Sequence, residues 1–554
     1  MKKLLLALVV FLLSPAATAQ GIVTSADPRA TEAGQRILRE GGSAADAAMA
    51  MMLALTVVEP QSSGIGGGGF LVHHDGRTGL IDTIDGREAA PATATPERFL
   101  GPDGKPLRFI QAFPGGKSVG VPGNVRLLAM AHRKWGKLEW KALFQPAIKL
   151  AEDGYQVTPP MNAAVGRASR LWDQFPEIAK QYSDGGKPLP EGTIVKNPAL
   201  AKMLRTLADN GPEAFYSGDN ARDIVATVTG TSISPGDITL ADLSAYKTKE
   251  RSAVCGTYRV YKICGMGPPS SGATTVIQIL GMVERFDMKG LGKDSPIAWH
   301  LIGEAMELAY ADREKYLGDR DFVPVPVAGL IDPAYIRSRS KLISMTRTLP
   351  KYEAGTPPGA EPRTAAVQAE VPGTTHFIAI DKDGDIASMT STVEGPFGSQ
   401  LMANGYILNN ELTDFTFAPE KDGAPVANRV EPGKRPLSSM APTIVYDASG
   451  KPIFTVGAAG GKTIIMQVAK ALIAHLDWGM PVRDAIGQGL IYFNADGLVL
   501  EQGTSLEAMK PALEKLGHRV TIAHLGLKAN GAERTANGWT GAADPRGVGT
   551  ALSE

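Results

Sequence analysis

The stretch Val371-Pro372-Gly373-Thr374-Thr375-His376-Phe377-Ile378-Ala379-Ile380-Asp381 places two adjacent hydroxyls where a proline- and glycine-rich tract gives way to a strand pattern. Residues 350–373 show no apolar period, which predicts an exposed, mobile segment. Phe377 to Ile380 reads as a buried strand, Asp381-Lys382-Asp383-Gly384 as a turn, and Ile386 to Val393 as the returning strand of a hairpin. A hydroxyl at the head of such a hairpin can attack the preceding carbonyl, shift the acyl group from N to O, and leave an N-terminal Thr after hydrolysis. That new terminus would carry its own base, since an α-amine titrates near pH ~8 and can take the hydroxyl proton. A Thr pair that merely opens a β-strand, as β-branched residues do, fits the same window.

Other chemistry-like patterns fail on context. Gly64, Gly66 and Gly69 satisfy G-x-G-x-x-G, but a helix precedes them and a strand follows, the reverse of a dinucleotide site, so backbone packing in a tight turn is the better reading. Gly116-Lys117-Ser118-Val119-Gly120 matches a nucleophile elbow, yet Pro122 and Gly123 follow where its helix would begin. Gly457-Ala458-Ala459-Gly460-Gly461-Lys462-Thr463 is too short for a phosphate loop. Asp381-Lys382-Asp383-Gly384-Asp385 begins like a calcium loop, but Thr392 stands where the closing acid is needed.

The elements that must position these residues are those of a large mixed α/β chain. Its 554 residues can bury a substantial core. Lys plus Arg and Asp plus Glu both number 57, without long runs of one sign, which argues against nucleic acid or an anionic membrane as the main partner. Lys2 and Lys3, an apolar run from Leu4 to Leu13, and Ala17-Thr18-Ala19 form a secretory signal over residues 1–19, so the mature chain is expected to be periplasmic or secreted. No later stretch reaches ~18 uninterrupted apolar residues, so no stable membrane anchor is expected. The only cysteines, Cys255 and Cys264, flank a candidate hairpin, and sequence leaves open whether they pair. Helices are predicted from Asp27-Pro28 to about Glu40, from Ser43 to about Val58, within 135–154, over 197–209, 219–228, 273–286 and 304–316, and over 463–476.

Set beside its neighbours, the Thr374-Thr375-His376 segment resembles the processing site of the γ-glutamyltransferases, in the N-terminal nucleophile hydrolase superfamily. Similar blocks recur along residues 21–550: the glycine-rich Pro60–Phe70, Asp82–Pro91 with Arg87, Leu408–Phe415, Pro436-Leu437-Ser438-Ser439-Met440, Gly460-Gly461, and Gly541–Arg546. The resemblance implies a four-layer αββα sandwich, cut between Gly373 and Thr374 into a large chain (20–373) and a small catalytic chain (374–554) that remain a heterodimer. It makes Thr374 the nucleophile, Thr392 a second hydroxyl bonded to it, and the Gly460 and Gly461 N–H groups an oxyanion hole. Arg87, Ser438 and Ser439 would bind the substrate α-carboxylate, and Glu411 and Asp414 its α-ammonium. Glu394 stands where many relatives have Asn and others an acid, a departure that bears on specificity. Three acids exceed one ammonium, so one is expected to pair with Arg87 or another base, or to hold a proton. The implied donors are glutathione and other γ-glutamyl compounds, the acceptors water, amino acids or dipeptides, with no cofactor and no metal. The short stretch between Asp414 and Arg435 predicts an open pocket. An acylase of glutaryl, β-lactam or poly-γ-glutamate substrates, and a non-catalytic binding protein, are the alternatives.

Overall fold

A computed structural model describes residues 21–366, 371, 373–494 and 497–554; the signal segment lies outside them. Two antiparallel sheets form its centre. The first runs in spatial order Thr550–Ser553, Ile22–Ser25, Thr375–Ile380, Ile386–Thr392, Gly68–His74, Ile81–Gly86 and Lys249–Arg251. The second runs Gly538–Ala543, Lys528–Thr535, Pro452–Ala459, Thr443–Tyr446, Tyr261–Gly265 and Val254–Tyr258.

The Thr375–Ile380 strand is buried on both faces, which is why its Phe377–Ile380 part is an unbroken apolar run. Ile378 and Ile380 point between the sheets with Phe70, Val72, Phe454 and Val456. Phe377 and Ala379 point the other way, into a core shared with the Ala44–Val58 helix. That helix is apolar on every side and wholly buried, and its start is fixed by a reciprocal cap between Ser43 and Asp46, a device worth about 1 kcal/mol. The helices Gly272–Val283 and Thr463–Leu476 cover the second sheet, and Pro296–Tyr316 packs on Gly272–Val283. The layers are therefore helix, sheet, sheet, helix, as expected. Among the described residues no helix is long and apolar enough to cross a membrane.

Several expectations need correction. Residues 350–366 are not a free tract, because Pro296–Tyr316 and its surroundings capture their polar groups. Gly355 N–H donates to Asp312 at 2.8 Å, the Tyr316 hydroxyl donates to Gly355 O at 2.7 Å, and Ala366 N–H donates to Glu314 O at 3.2 Å. Pro122-Gly123 is a start and not only a stop, since the helix Asn124–Trp135 begins directly after it. Gly136 ends that helix, so the 135–154 pattern resolves into a 3-10 turn at Trp140–Phe144 and a helix at Gln145–Asp153. The helix expected from 304 begins earlier, at Pro296, with Ser295 as its cap. Cys255 and Cys264 sit opposite one another in the Val254–Tyr258/Tyr261–Gly265 hairpin, Cα atoms 4.2 Å apart, and form a disulfide.

Candidate active site

The two strands of the 375–392 hairpin pair with Thr375 opposite Ser391, which sets Thr374 beside Thr392. Their Oγ1 atoms are 3.0 Å apart. Thr392 Oγ1 also accepts the Glu394 N–H at 2.8 Å, leaving its own proton available to Thr374.

The backbone around this pair is strained. Thr374 has φ 77°, and Glu394 has the same value, in a region that β-branched and bulky residues seldom enter and that costs about 1–3 kcal/mol each. Ser62 holds the geometry, its carbonyl accepting N–H from Thr374 at 3.1 Å and from Val393 at 3.2 Å. Gly373 has no room for a side chain, since a Cβ there would lie 1.7 Å from the Glu394 carbonyl oxygen. The glycine-rich block does pack backbone against backbone: a Cβ on Gly67 would lie 1.9 Å from the Thr392 carbonyl oxygen. Its contribution through Ser62 was not apparent from residue type.

Arg87 is fully buried, and its guanidinium is already engaged. It bonds Glu411 through Nη1, Asp414 at 2.5 Å and the Leu437 carbonyl at 2.9 Å through Nη2, and the Pro436 carbonyl at 3.2 Å through Nε. Glu411 and Asp414 flank a 3-10 turn, so their carboxylates face one way. Sequence reasoning expected one acid on Arg87; two are there.

Glu88 is a residue that sequence reasoning missed. It is wholly buried, its Oε2 3.9 Å from Arg87 Nη1 and its carboxyl beside that of Glu411. Burial pushes its carboxyl up to about 7 despite the pull of Arg87. Glu411 is likewise held well above the usual carboxylate range, by burial first, with Arg87 pulling it down and Glu88 and Glu394 adding to the rise.

The Ser438-Ser439 pair is wired to the helix Pro296–Tyr316. Arg313 Nη2 donates to Ser439 Oγ at 2.8 Å and its Nε to Ser271 Oγ at 2.9 Å, while Ser271 Oγ donates to the Ser438 carbonyl at 2.7 Å. That helix thus supports the site through a buried arginine. Gly460 and Gly461 follow the Pro452–Ala459 strand with φ 132° and 58°, and a Cβ on Gly460 would lie 2.6 Å from Thr463 Oγ1. Glu394 is buried and accepts a hydrogen bond from the Asn410 amide.

Every predicted site residue except Gly460 lines one cavity: Arg87, Thr374, Thr392, Glu394, Glu411, Asp414, Ser438, Ser439 and Gly461. Its volume is about 20 Å³. Val371 supplies part of its wall, and also lines a neighbouring cleft of about 1160 Å³ that includes Phe109, Phe113, Arg167 and Arg170.

The discarded motifs remain discarded. Ser118 Oγ is buried and donates to carbonyls of Phe113 at 2.6 Å and Gly115 at 3.0 Å. His376 is buried, bonded through Nδ1 to Thr390 Oγ1 at 2.8 Å, and burial holds it neutral with a pKa of about 3, which suits packing and not base catalysis.

The gamma-glutamyltranspeptidase family model matches residues 30–553. The chain is 38% identical over 511 residues to the glutathione hydrolase proenzyme of Bacillus subtilis (strain 168), covering 90% of this chain and 85% of that one. A cephalosporin acylase structure from Bacillus halodurans superposes with a TM-score of 0.85 at 25% identity, covering 98% of this chain and 99% of that one. A Helicobacter pylori gamma-glutamyltranspeptidase structure gives 0.59 at 36% identity, covering 63% of this chain and 98% of that one. A match along nearly all of its length, on a sandwich of the N-terminal nucleophile hydrolase type with a threonine pair at its centre, means that this chain belongs to the gamma-glutamyltranspeptidase family.

Proposed function

We propose that the chain is a γ-glutamyltransferase and glutathione hydrolase that activates itself by cutting the Gly373–Thr374 bond. Thr374 Oγ1 attacks the Gly373 carbonyl, the acyl group moves from N to O, and water hydrolyses the ester. The products are a large segment, 20–373, and a small one, 374–554, held together by the sheets they share. The observation that carries this reading is Thr374 Oγ1 at 3.0 Å from Thr392 Oγ1, on a strained backbone at a cavity lined by Arg87 and three acids.

In turnover the free Thr374 amine accepts the proton of its own hydroxyl as Oγ1 attacks the γ-carbonyl of the donor. The α-carboxylate of the γ-glutamyl group takes over Arg87 and the Ser438-Ser439 pair. Its α-ammonium replaces Arg87 as the partner of Glu411 and Asp414. A zwitterion can thus exchange with the internal ion pairs without leaving a buried charge unpaired. Gly460 and Gly461 N–H groups stabilise the tetrahedral oxyanion, at roughly 3 kcal/mol per donor. The ester then passes its γ-glutamyl group to water, or to the amine of an amino acid or dipeptide.

The test is the N-terminal sequence of the smaller fragment, which should begin at Thr374, together with an unprocessed Thr374→Ala chain that does not consume glutathione. A different start, or scission in that variant, would refute the assignment.

The likeness to a cephalosporin acylase, with Glu394 beside the threonine pair, favours a second reading, acylase action on glutaryl side chains. Faster turnover of a glutaryl amide than of glutathione would select it. The pattern over residues 1–19 and the Cys255–Cys264 disulfide support export to an oxidising compartment, which cell fractionation tests.

A further inference from the structure

Well along the Pro296–Tyr316 helix from Arg313, His300, Glu304 and Glu307 share one face by their spacing. His518, from the turn before the Val520–Ala523 strand, meets that face. His300, Glu304 and His518 are all buried, and each offers a ligand atom within 4.8 Å of the others.

The surroundings fix the state of each group. His300 Nε2 lies 2.7 Å from the Ser344 carbonyl, which only accepts, so Nε2 carries the ring proton and Nδ1 a lone pair. Nδ1 lies 2.7 Å from His518 Nε2, and the proton between them therefore belongs to His518. Glu304 accepts from the Tyr352 hydroxyl and from Leu349 N–H at 3.0 Å. Outer partners of this kind, a carbonyl behind an imidazole and donors behind a carboxylate, orient the ligands of metal sites. A cavity of about 280 Å³ lined by His518, Glu307 and Tyr352 reaches the cluster and gives an ion an entry path. Glu307 and Glu304 are like charges on one helix face, which a bound cation would offset.

We propose that this cluster is a zinc site, with His300 Nδ1, His518 Nε2 and one Glu304 oxygen as protein ligands and a cavity water in the fourth position. On binding, the His518 proton moves from Nε2 to Nδ1, so both imidazoles stay neutral. The two nitrogens separate to roughly 3.3 Å, as two zinc bonds of about 2.0–2.1 Å at a tetrahedral angle require. His300 and Glu304 precede Thr374 and His518 follows it. If the chain is cut there, the ion clips the two pieces together away from the reacting threonine; zinc binding itself does not depend on that reading.

The test uses full-length protein equilibrated with Zn²⁺, then passed through metal-free buffer and assayed for metal content and thermal unfolding. The wild type should retain about one zinc per chain and unfold several degrees higher with zinc than after chelation. His518→Gln, which keeps a hydrogen-bonding side chain, and Glu304→Gln should each lose the retained zinc and the zinc-dependent shift. Glutathione turnover by His518→Gln should stay within twofold of wild type. Little retained zinc in the wild type, or equal zinc in wild type and His518→Gln, would show an adventitious ion and overturn the proposal.

Discussion

The Oγ1 atoms of Thr374 and Thr392 face each other at 3.0 Å across the open end of a hairpin, and Thr392 is itself fixed by the Glu394 N–H. Thr374 is therefore held in place by a second hydroxyl whose orientation the backbone sets. Replacing Thr374 by Ala should abolish both chain scission and glutathione turnover, while Thr374→Ser should retain both at reduced rate. Thr392→Ala removes one hydrogen bond and should slow both steps about tenfold. Denaturing gels over time and a glutathione assay measure the two rates.

Arg87→Lys keeps the charge but loses the planar fork that reaches Glu411 and Asp414 together. We expect KM for the γ-glutamyl donor to rise roughly 30- to 100-fold, with kcat less affected. A buried carboxylate left without its partner should also destabilise the fold by about 3–5 kcal/mol. Steady-state kinetics and urea unfolding on the same preparation separate the two effects.

Glu88 links stability to pH. Its carboxyl sits at about 7 in the fold, against an ordinary value of 4.5. The folded form therefore keeps a proton that the unfolded chain releases. The stability this confers is fully present below pH ~4.5 and is lost as pH rises through ~7, on the order of 3 kcal/mol in all. Glu411 is raised as well and adds in the same direction. Urea midpoints should fall between pH 5 and pH 8 in the wild type and fall less in Glu88→Gln. Parallel profiles for the two proteins would contradict this.

The Cys255–Cys264 disulfide closes a short hairpin loop on the edge of the second sheet. Replacing both cysteines by Ala should lower stability by about 2–3 kcal/mol, the chain-entropy value for a loop of this size. Turnover should not change, because the hairpin contributes no side chain to the cavity. Thermal unfolding with and without reductant checks the first expectation, and the glutathione assay the second.

Much of this was legible in the chain because short-range rules govern it. The Ser43–Asp46 cap, the 375–392 hairpin and the 3-10 placement of Glu411 and Asp414 follow from local residue types and spacing. Which residues meet across the fold is another matter. Arg313 is one more helical charge until the tertiary structure brings it to Ser439, and nothing in its residue type marks Glu88 as buried against Arg87. Ser62 works through its carbonyl, which no residue identity encodes. The helix Asn124–Trp135 escaped because proline followed by glycine signals a break, and a break can also be a beginning.

The left-handed torsion at Thr374 has one more implication. A φ angle is defined by the carbonyl carbon of the preceding residue, so once Gly373 departs that angle no longer exists. The roughly 1–3 kcal/mol stored there disappears with the bond that imposed it. Rejoining the ends would have to wind the torsion up again inside a space that tolerates nothing larger than glycine before it. Maturation at this junction would then work as a ratchet, with the precursor as the loaded spring and the exposed amine as its unloaded form.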